Sequence, residues 1–279
     1  MRDANLRRRS AVRHVFLGAA GFALLYPLLW MLGASFMHTD QIFSAASPVP
    51  TPPTIENYVR GWSATGLPFS WHILMSLAIS ALTIIGNVLS CSLTAYAFAR
   101  LRFPGRQALF AVMLVTIMLP AHVTLIAQYA MFRQLGWIDT ILPLVVPKFF
   151  AVEAFFVFMM VQFIRSIPVE LDEAARIDGC GEFGTYWRVV LPLLKPALVT
   201  TAIFSFIWSY NDFFSQLIYL SSLDRLTVPL ALRRFLDTSG SSDWGGMFAM
   251  SIISLLPVLI VFIVFQRRIV EGMATTGLK

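Results

Sequence analysis

A chain of 279 residues of which 57% are hydrophobic and only 13% charged is not an ordinary soluble domain, and a mean hydropathy of +0.73 marks a polytopic membrane protein. The net charge of +6 would suit a nucleic-acid binder, but no aromatic-basic platform accompanies it, and the placement of the arginines accounts for it otherwise. Two cysteines, Cys91 in an apolar run and Cys180 in a charged one, exclude a disulfide framework.

In chain order, Arg2, Arg7, Arg8, Arg9 and Arg13 precede a charge-free run over residues 15–36. That run exceeds a signal-peptide core and matches the roughly 20 residues a bilayer requires, so it is expected to be a retained span behind a cytoplasmic tail of residues 1–14. Residues 37–70 are polar, carry Pro48, Pro50, Pro52, Pro53 and Pro68, and end near Trp62 and Trp71, which suits an extracytoplasmic loop with interfacial aromatics. Further spans are expected at 71–99, 108–132, 141–164, 196–220 and 246–266, with Pro120 kinking the third. The fold class is therefore all-α with six transmembrane helices: one span, a five-helix core over 71–266, and a tail over 267–279.

Arginine and lysine orient the spans. With the N-terminus inside, the inner segments carry Arg2, Arg7, Arg8, Arg9, Arg13, Arg100, Arg102, Arg106, Arg165, Arg176, Arg188, Lys195, Arg267, Arg268 and Lys279, whereas the outer ones carry Arg60, Arg133, Lys148, Arg225, Arg233 and Arg234. This excess places both termini in the cytoplasm and explains the positive charge without nucleic acid.

Between the fourth and fifth spans lies a charged island that includes Glu170, Asp172, Glu173, Arg176, Asp178, Glu182 and Arg188. Ser166 is a candidate cap, Pro168 suits a first helical turn, and Glu170, Asp172 and Glu173 put negative charge near a helix N-terminus. Gly179 follows the last turn, where a positive φ ends a helix cheaply. A second amphipathic segment carries Phe183, Trp187 and Val190 up to Pro192. Ala174 and Ala175 leave a face of little side chain on which another protein can come close.

Glu173-Ala174-Ala175, then Gly179 after three residues, then Leu191-Pro192, resemble the EAA loop of ABC importer permeases, here residues 166–192. Val189 stands where that motif usually has Ile, and Cys180 where the sugar branch often has Ala. Tyr96-Ala97-Phe98-Ala99-Arg100 with Arg102-Phe103-Pro104-Gly105, the patch Trp208, Asn211, Asp212 and Phe213, and the tail from Gln266 to Met273 are similar to the carbohydrate-type, maltose-permease-like branch. Met75-Ser76-Leu77 departs from the Asn-Ser-Leu frequent there. The resemblance implies an inner-membrane permease subunit of a bacterial binding-protein-dependent importer, translocating a sugar, oligosaccharide or polyol-type solute. Its implied partners are a second homologous permease, two copies of a nucleotide-binding ATPase and an extracytoplasmic solute-binding protein, besides membrane lipid. It also implies that ATP and Mg are bound by the ATPase, that this chain holds no cofactor of its own, and that Glu170, Glu173, Ala174, Ala175, Asp178, Gly179 and Phe183 make the coupling contact.

Intramembrane charges are functional candidates because burying one costs roughly 3 kcal/mol even on lenient scales. Lys148, Glu153 and Asp212 qualify. On a continuous helix Lys148 and Glu153 point about 140° apart and do not form an i,i+4 pair. Asp212 beside Asn211 lies roughly 12 Å from the outer end of its span at 1.5 Å per residue. Glu153, Trp208, Asn211 and Asp212 are thus the substrate-pathway candidates, and Asn87 is expected to join two helices. Residues 179–184 satisfy G-x-G-x-x-G, but they follow a helix rather than a strand, which speaks against a dinucleotide site. His14, His38, His72 and His122 lack metal-ligand spacing, and no nucleophile–base constellation suggests an enzyme. The alternatives are an ABC permease for another solute, such as a peptide, amino acid or glycerophosphodiester, and an ion-driven secondary transporter. The latter would carry intramembrane acids and inverted repeats, and no repeat is visible.

Overall fold

The computed structural model describes residues 2–44, 49–236 and 242–277, with side chains placed for 13–44, 49–120, 123–236 and 242–266. Every regular element among them is helical. The arginines before Arg13 and the tail motif after Gln266 lie outside the described side chains. Four helical segments of the described residues are long and apolar enough to cross a bilayer: Arg13–Ser35, Phe69–Arg100, Leu142–Ser166 and Trp244–Gln266. The chain divides into two compact units, Met1–Phe69 with Leu232–Leu256 and Ser70–Ala231 with Pro257–Lys279.

In the first unit, α1 (Arg2–Ser35) contains the first span, and no residue of its most apolar stretch is buried. At its C-terminal end Ala34, Met37 and Ile42 pack against Trp30, Trp244 and Phe248. A short helix in the loop after the first span, α2 (Glu56–Ser63), is tied there by the buried Asn57, whose Nδ2 donates to the carbonyls of Ser35 at 3.0 Å and Met37 at 2.7 Å. Arg60 reaches Asp243 at 2.8 Å. That hydrogen bond lifts the guanidinium above its ordinary value. Burial alone would raise the Asp243 carboxyl, but the bonds from Arg60 and Gly246 N–H and the charge of Arg60 together outweigh it and hold the carboxyl below the usual range. Gly61 lies under the Gly246 carbonyl and Met250, each 3.2 Å from where a Cβ would sit, so close packing rather than turn geometry requires glycine.

The second unit begins within α3 (Phe69–Arg100). The third span, expected as a kinked helix, is broken instead: α4 (Arg106–Ile117) stops ahead of Pro120, a 3-10 turn spans Ala121–Thr124, and α5 (Leu125–Gln134) resumes. Proline lacks the donor that would continue the ladder, and the carbonyl of Pro120 instead accepts Val123 N at 3.0 Å. The fourth span is broken as well. It consists of α6 (Leu142–Val145), a 3-10 turn over Val146–Phe150, Ala151 at φ 52°, and α7 (Ala154–Ser166).

The charged island folds as α8 (Glu170–Ile177), then α9 (Glu182–Thr185), a π turn over Tyr186–Val190 and α10 (Leu191–Leu193). After a 75° bend the chain enters α11 (Lys195–Asn211), followed by α12 (Phe214–Tyr219) and α13 (Val228–Arg233). The last helix, α14 (Trp244–Gly277), carries the sixth span. The core where α3, α7 and the island meet contains Cys91, Ala95, Tyr96, Phe156, Met160, Ile164, Tyr186 and Leu194.

Asp139 pins the outer loops of this unit. Its Oδ1 accepts Ser221 N and Ser222 N, each at 2.9 Å, and Ser222 Oγ donates to Oδ2. Burial alone would raise this carboxyl, but the bonds from Ser222 and Ser221 outweigh it and hold the pKa at about 2. Because the folded value lies below the unfolded value of about 3.9, the stabilisation is complete above pH 4 and is lost as pH falls towards 2. Amide exchange at Ser221 and Ser222, corrected for intrinsic rate, should be protected to a constant degree above pH 5 and lose protection below pH 4. Asp139→Ala should show the unprotected rate at every pH.

Candidate coupling surface and translocation cavity

The island is a rigid projection of the bundle. Arg100, at the end of α3, places Nε 2.6 Å from Asp172 Oδ2 and donates from Nη2 to the Ile167 carbonyl at 2.7 Å. Both partners are buried, with side chains 10% and 5% exposed. Tyr96 donates to Glu182 Oε2 at 3.1 Å, Tyr186 and Ser92 share a hydrogen bond of 2.8 Å, and Arg176 bridges the two island helices to Glu182 at 2.7 Å. Helix α8 ends in a Schellman arrangement: Cys180 N bonds the Ala175 carbonyl at 2.9 Å, Gly179 N bonds that of Arg176 at 3.0 Å, and Gly179 sits at φ 83°. Ser166 does not cap α8. It belongs to the last turn of α7, where its hydroxyl back-bonds to Phe163, and the N-cap position of α8 is Val169, which makes no side-chain cap.

Among the residues assigned to coupling from sequence, Glu170, Glu173, Ala174, Asp178, Gly179 and Phe183 are exposed on this projection. Ala175 is not: it is 7% exposed and turned inward beside Asp172. The small-residue face therefore consists of Ala174 alone, because adjacent helical positions diverge by about 100°. Sequence reasoning passed over Ile177, which is 87% exposed, and underused Trp187, stacked at 16° on Phe183. A surface this apolar on a projection outside the spans calls for a protein partner.

The four pathway candidates, Glu153, Trp208, Asn211 and Asp212, line one cavity of about 540 Å³. A second cavity of about 570 Å³ shares Lys148, Glu153, Asp212 and Ser215 with it. Three breaks in helical geometry build the site. At the first, the fourth span is interrupted between Val146 and Glu153, just after α6, and Ser90 of α3 secures the break by donating to the Lys148 carbonyl at 2.8 Å and accepting from Ala151 N at 3.1 Å. Lys148 Nζ thereby meets Glu153 Oε1 in an ion pair. The wheel argument that held these residues apart fails because no continuous helix joins them. The α3 backbone approaches closely at Gly86, where a Cβ would lie 2.9 Å from the Phe149 ring and 3.0 Å from the Lys148 carbonyl carbon.

At the second break α11 stops at Asn211, and Asp212, at ψ 107°, turns the chain and accepts Ser215 N at 3.0 Å, which starts α12. At the third, α5 begins only after the Pro120 break and brings Leu125 to the wall. Irregular backbone at membrane depth is tolerated where it lines a cavity. Trp208 stacks one face on Phe156, 5.0 Å away at 20°, and remains 45% exposed. Asn87 does join two helices, donating to Ser205 Oγ at 2.9 Å. Ser90 and the Arg100–Asp172 pair were invisible as partners in the sequence, since 61 and 72 positions separate the groups that meet.

A family model described as a binding-protein-dependent transport system inner membrane component matches residues 91–275. The chain belongs to this family. The permease is 33% identical over 256 residues to the trehalose/maltose transport system permease protein MalG of Thermococcus litoralis, covering 91% of each chain. It is 32% identical over 265 residues to the probable ABC transporter permease protein YurM of Bacillus subtilis, covering 95% of this chain and 87% of that one. Its fold matches a chain in the crystal structure of a bacterial ABC transporter involved in the import of the acidic polysaccharide alginate, with a TM-score of 0.81 at 22% identity, covering 94% of this chain and 96% of the other. The protein is accordingly a multi-pass membrane component of an ABC transporter and not its ATPase.

Proposed function

We propose that this permease subunit carries a neutral carbohydrate across the cytoplasmic membrane, and that 166–192 is its coupling loop within a permease core of residues 71–266. The cavity carries the reading. Among the described residues its charged side chains are Lys148, Glu153 and Asp212, and the first two neutralise each other, leaving one formal negative charge. Such a site disfavours phosphate, glycerophosphodiester and uronate solutes. Around it stand Asn211, Ser209, Ser215 and the open face of Trp208, an inventory suited to hydroxyls and to the apolar face of a sugar ring. The trehalose and maltose of the archaeal relative's name are solutes of this kind.

In this reading a solute-binding protein delivers the sugar from outside, and a second permease supplies the other half of the path. Two ATPase subunits bind ATP and Mg and grip Glu170, Glu173, Ala174, Asp178, Gly179 and Phe183 from the cytoplasm, where both termini also lie. Closure of the ATPases moves α8, and the cavity changes its open side. Each end must bias the same two states for this to be coupling.

The test is uptake into proteoliposomes containing both permeases, the ATPases and the binding protein, with maltose, trehalose and glucuronate as probes. ATP-dependent uptake of a neutral sugar, absent for glucuronate and unaffected by collapsing ion gradients, is expected. Trp208→Ala should lower neutral-sugar uptake about tenfold, the loss of one stacking contact near 1.4 kcal/mol. Preferred uptake of the anion, or uptake that follows an ion gradient, overturns the reading.

A further inference from the structure

The extracytoplasmic helix α2 has three distinct flanks. At about 100° per residue, Asn57 and Gly61 fall on one, Glu56 and Arg60 on a second, and Ile55, Val59 and Trp62 on a third. The first flank is buried against the protein. The second bears the ion pairs of Arg60 with Glu56 at 3.6 Å and with Asp243 at 2.8 Å. The third is apolar and open: Ile55 is 69%, Val59 68% and Trp62 39% exposed.

The depth of α2 is fixed by what its buried flank touches. Asn57 bonds the carbonyls of Ser35 and Met37, and Tyr58 OH meets Ser35 Oγ at 2.8 Å, where the first span ends. Gly61 lies against Gly246 and Met250, in the opening turns of the sixth span. The helix thus sits where two spans leave the bilayer. The exposed apolar surface of α1 climbs through Leu28, Leu29 and Leu32 to the same level.

We propose that α2 is an interfacial helix whose Ile55, Val59 and Trp62 flank is immersed in the outer leaflet, its partner being lipid at the boundary of headgroups and acyl chains. A helix lying in that plane needs an apolar side and a charged side at roughly a right angle or more, and an aromatic residue is favoured at that depth. A flank facing water would leave three large apolar groups solvated beside an ion-pair network that has no need of them. The helix thereby floats the outer ends of the first and sixth spans at a set height. The proposal rests on the membrane placement of the family and is independent of which solute is carried.

The assembled transporter in phospholipid nanodiscs tests it by spin labelling, the signal of the same complex without the introduced cysteine being subtracted. A label at Val59→Cys is expected to collide strongly with oxygen and weakly with a water-soluble nickel chelate, and a label at Glu56→Cys should show the reverse. Strong nickel collision at position 59 means water on that flank and overturns the proposal. Weak collision with both reagents means a covering protein, the second permease or the binding protein, and overturns it equally. If Val59→Cys does not assemble, Trp62→Cys reports from the same flank with the same outcomes.

Discussion

Replacing Gly179 by valine should lower ATP-driven uptake by about thirtyfold while leaving membrane insertion intact. The reason is local. Gly179 sits at φ 83°, and nothing lies within 4 Å of where its Cβ would be. Substitution therefore creates no clash, only the backbone cost of the left-handed region, about 1–2 kcal/mol for an ordinary residue and more for a branched one. Relief comes from opening the Schellman turn, which releases Cys180 from Ala175 and lets Glu182 drift from Arg176 and Tyr96. A bias of 1–2 kcal/mol changes a two-state ratio by about five- to thirtyfold. The graded series is the informative part. If backbone conformation governs, uptake falls in the order Gly, Asn, Ala, Val, because asparagine tolerates positive φ. If residue 179 instead matters as a contact for the ATPase, asparagine, with its larger side chain, should be worse than alanine. Uptake and basal ATP hydrolysis measured together decide between the two.

The second large effect is expected at the Arg100–Asp172 pair. Removing one member of a buried ion pair costs about 3–5 kcal/mol because the other charge is left unpaired. Asp172→Asn and Arg100→Met should each lower the unfolding midpoint of the purified subunit markedly, whereas Arg100→Met combined with Asp172→Leu should recover much of the loss. Recovery of stability need not restore transport. Arg100 also holds the Ile167 carbonyl, so it fixes the chain between α7 and α8 from two directions. The double variant should fold well yet couple poorly, with ATP hydrolysis no longer stimulated by the loaded binding protein. Full coupling in that variant would mean the pair serves stability alone.

The two sites differ in how far the sequence announced them. Gly179 was legible: a glycine after an acidic-to-basic helix, ahead of an amphipathic turn, marks the place where the first helix stops in the left-handed region. Four of the six expected spans were legible too as helical segments long and apolar enough to cross, since hydropathy over twenty residues is a local property. What hydropathy does not convey is continuity. Pro143 and Pro147 were visible, yet the angle between Lys148 and Glu153 was reckoned on an unbroken helix, and the break is what lets them meet. Likewise Asp172 read as one of three acids favouring a helix start, whereas it is buried on Arg100, 72 positions away. Ala174 and Ala175 read as a matched pair, although only the tertiary contact of α8 decides which of them faces out. In each case the missing information was which face of an element meets which neighbour.

The 75° elbow at Leu194 gives the molecule a mechanical character. Leu194 is wholly buried in the core at this elbow, where the arm of α9, the π turn and α10 meets α11. One arm runs through the projection that bears Phe183 and Trp187. The other is α11, seventeen residues or about 26 Å long at 1.5 Å per residue. A turn of about 10° at the elbow would sweep the far tip of that arm by about 4–5 Å, more than the width of one water molecule. The tip carries Trp208, Asn211 and Asp212. A displacement of that size would reshape the cavity wall that these three residues line.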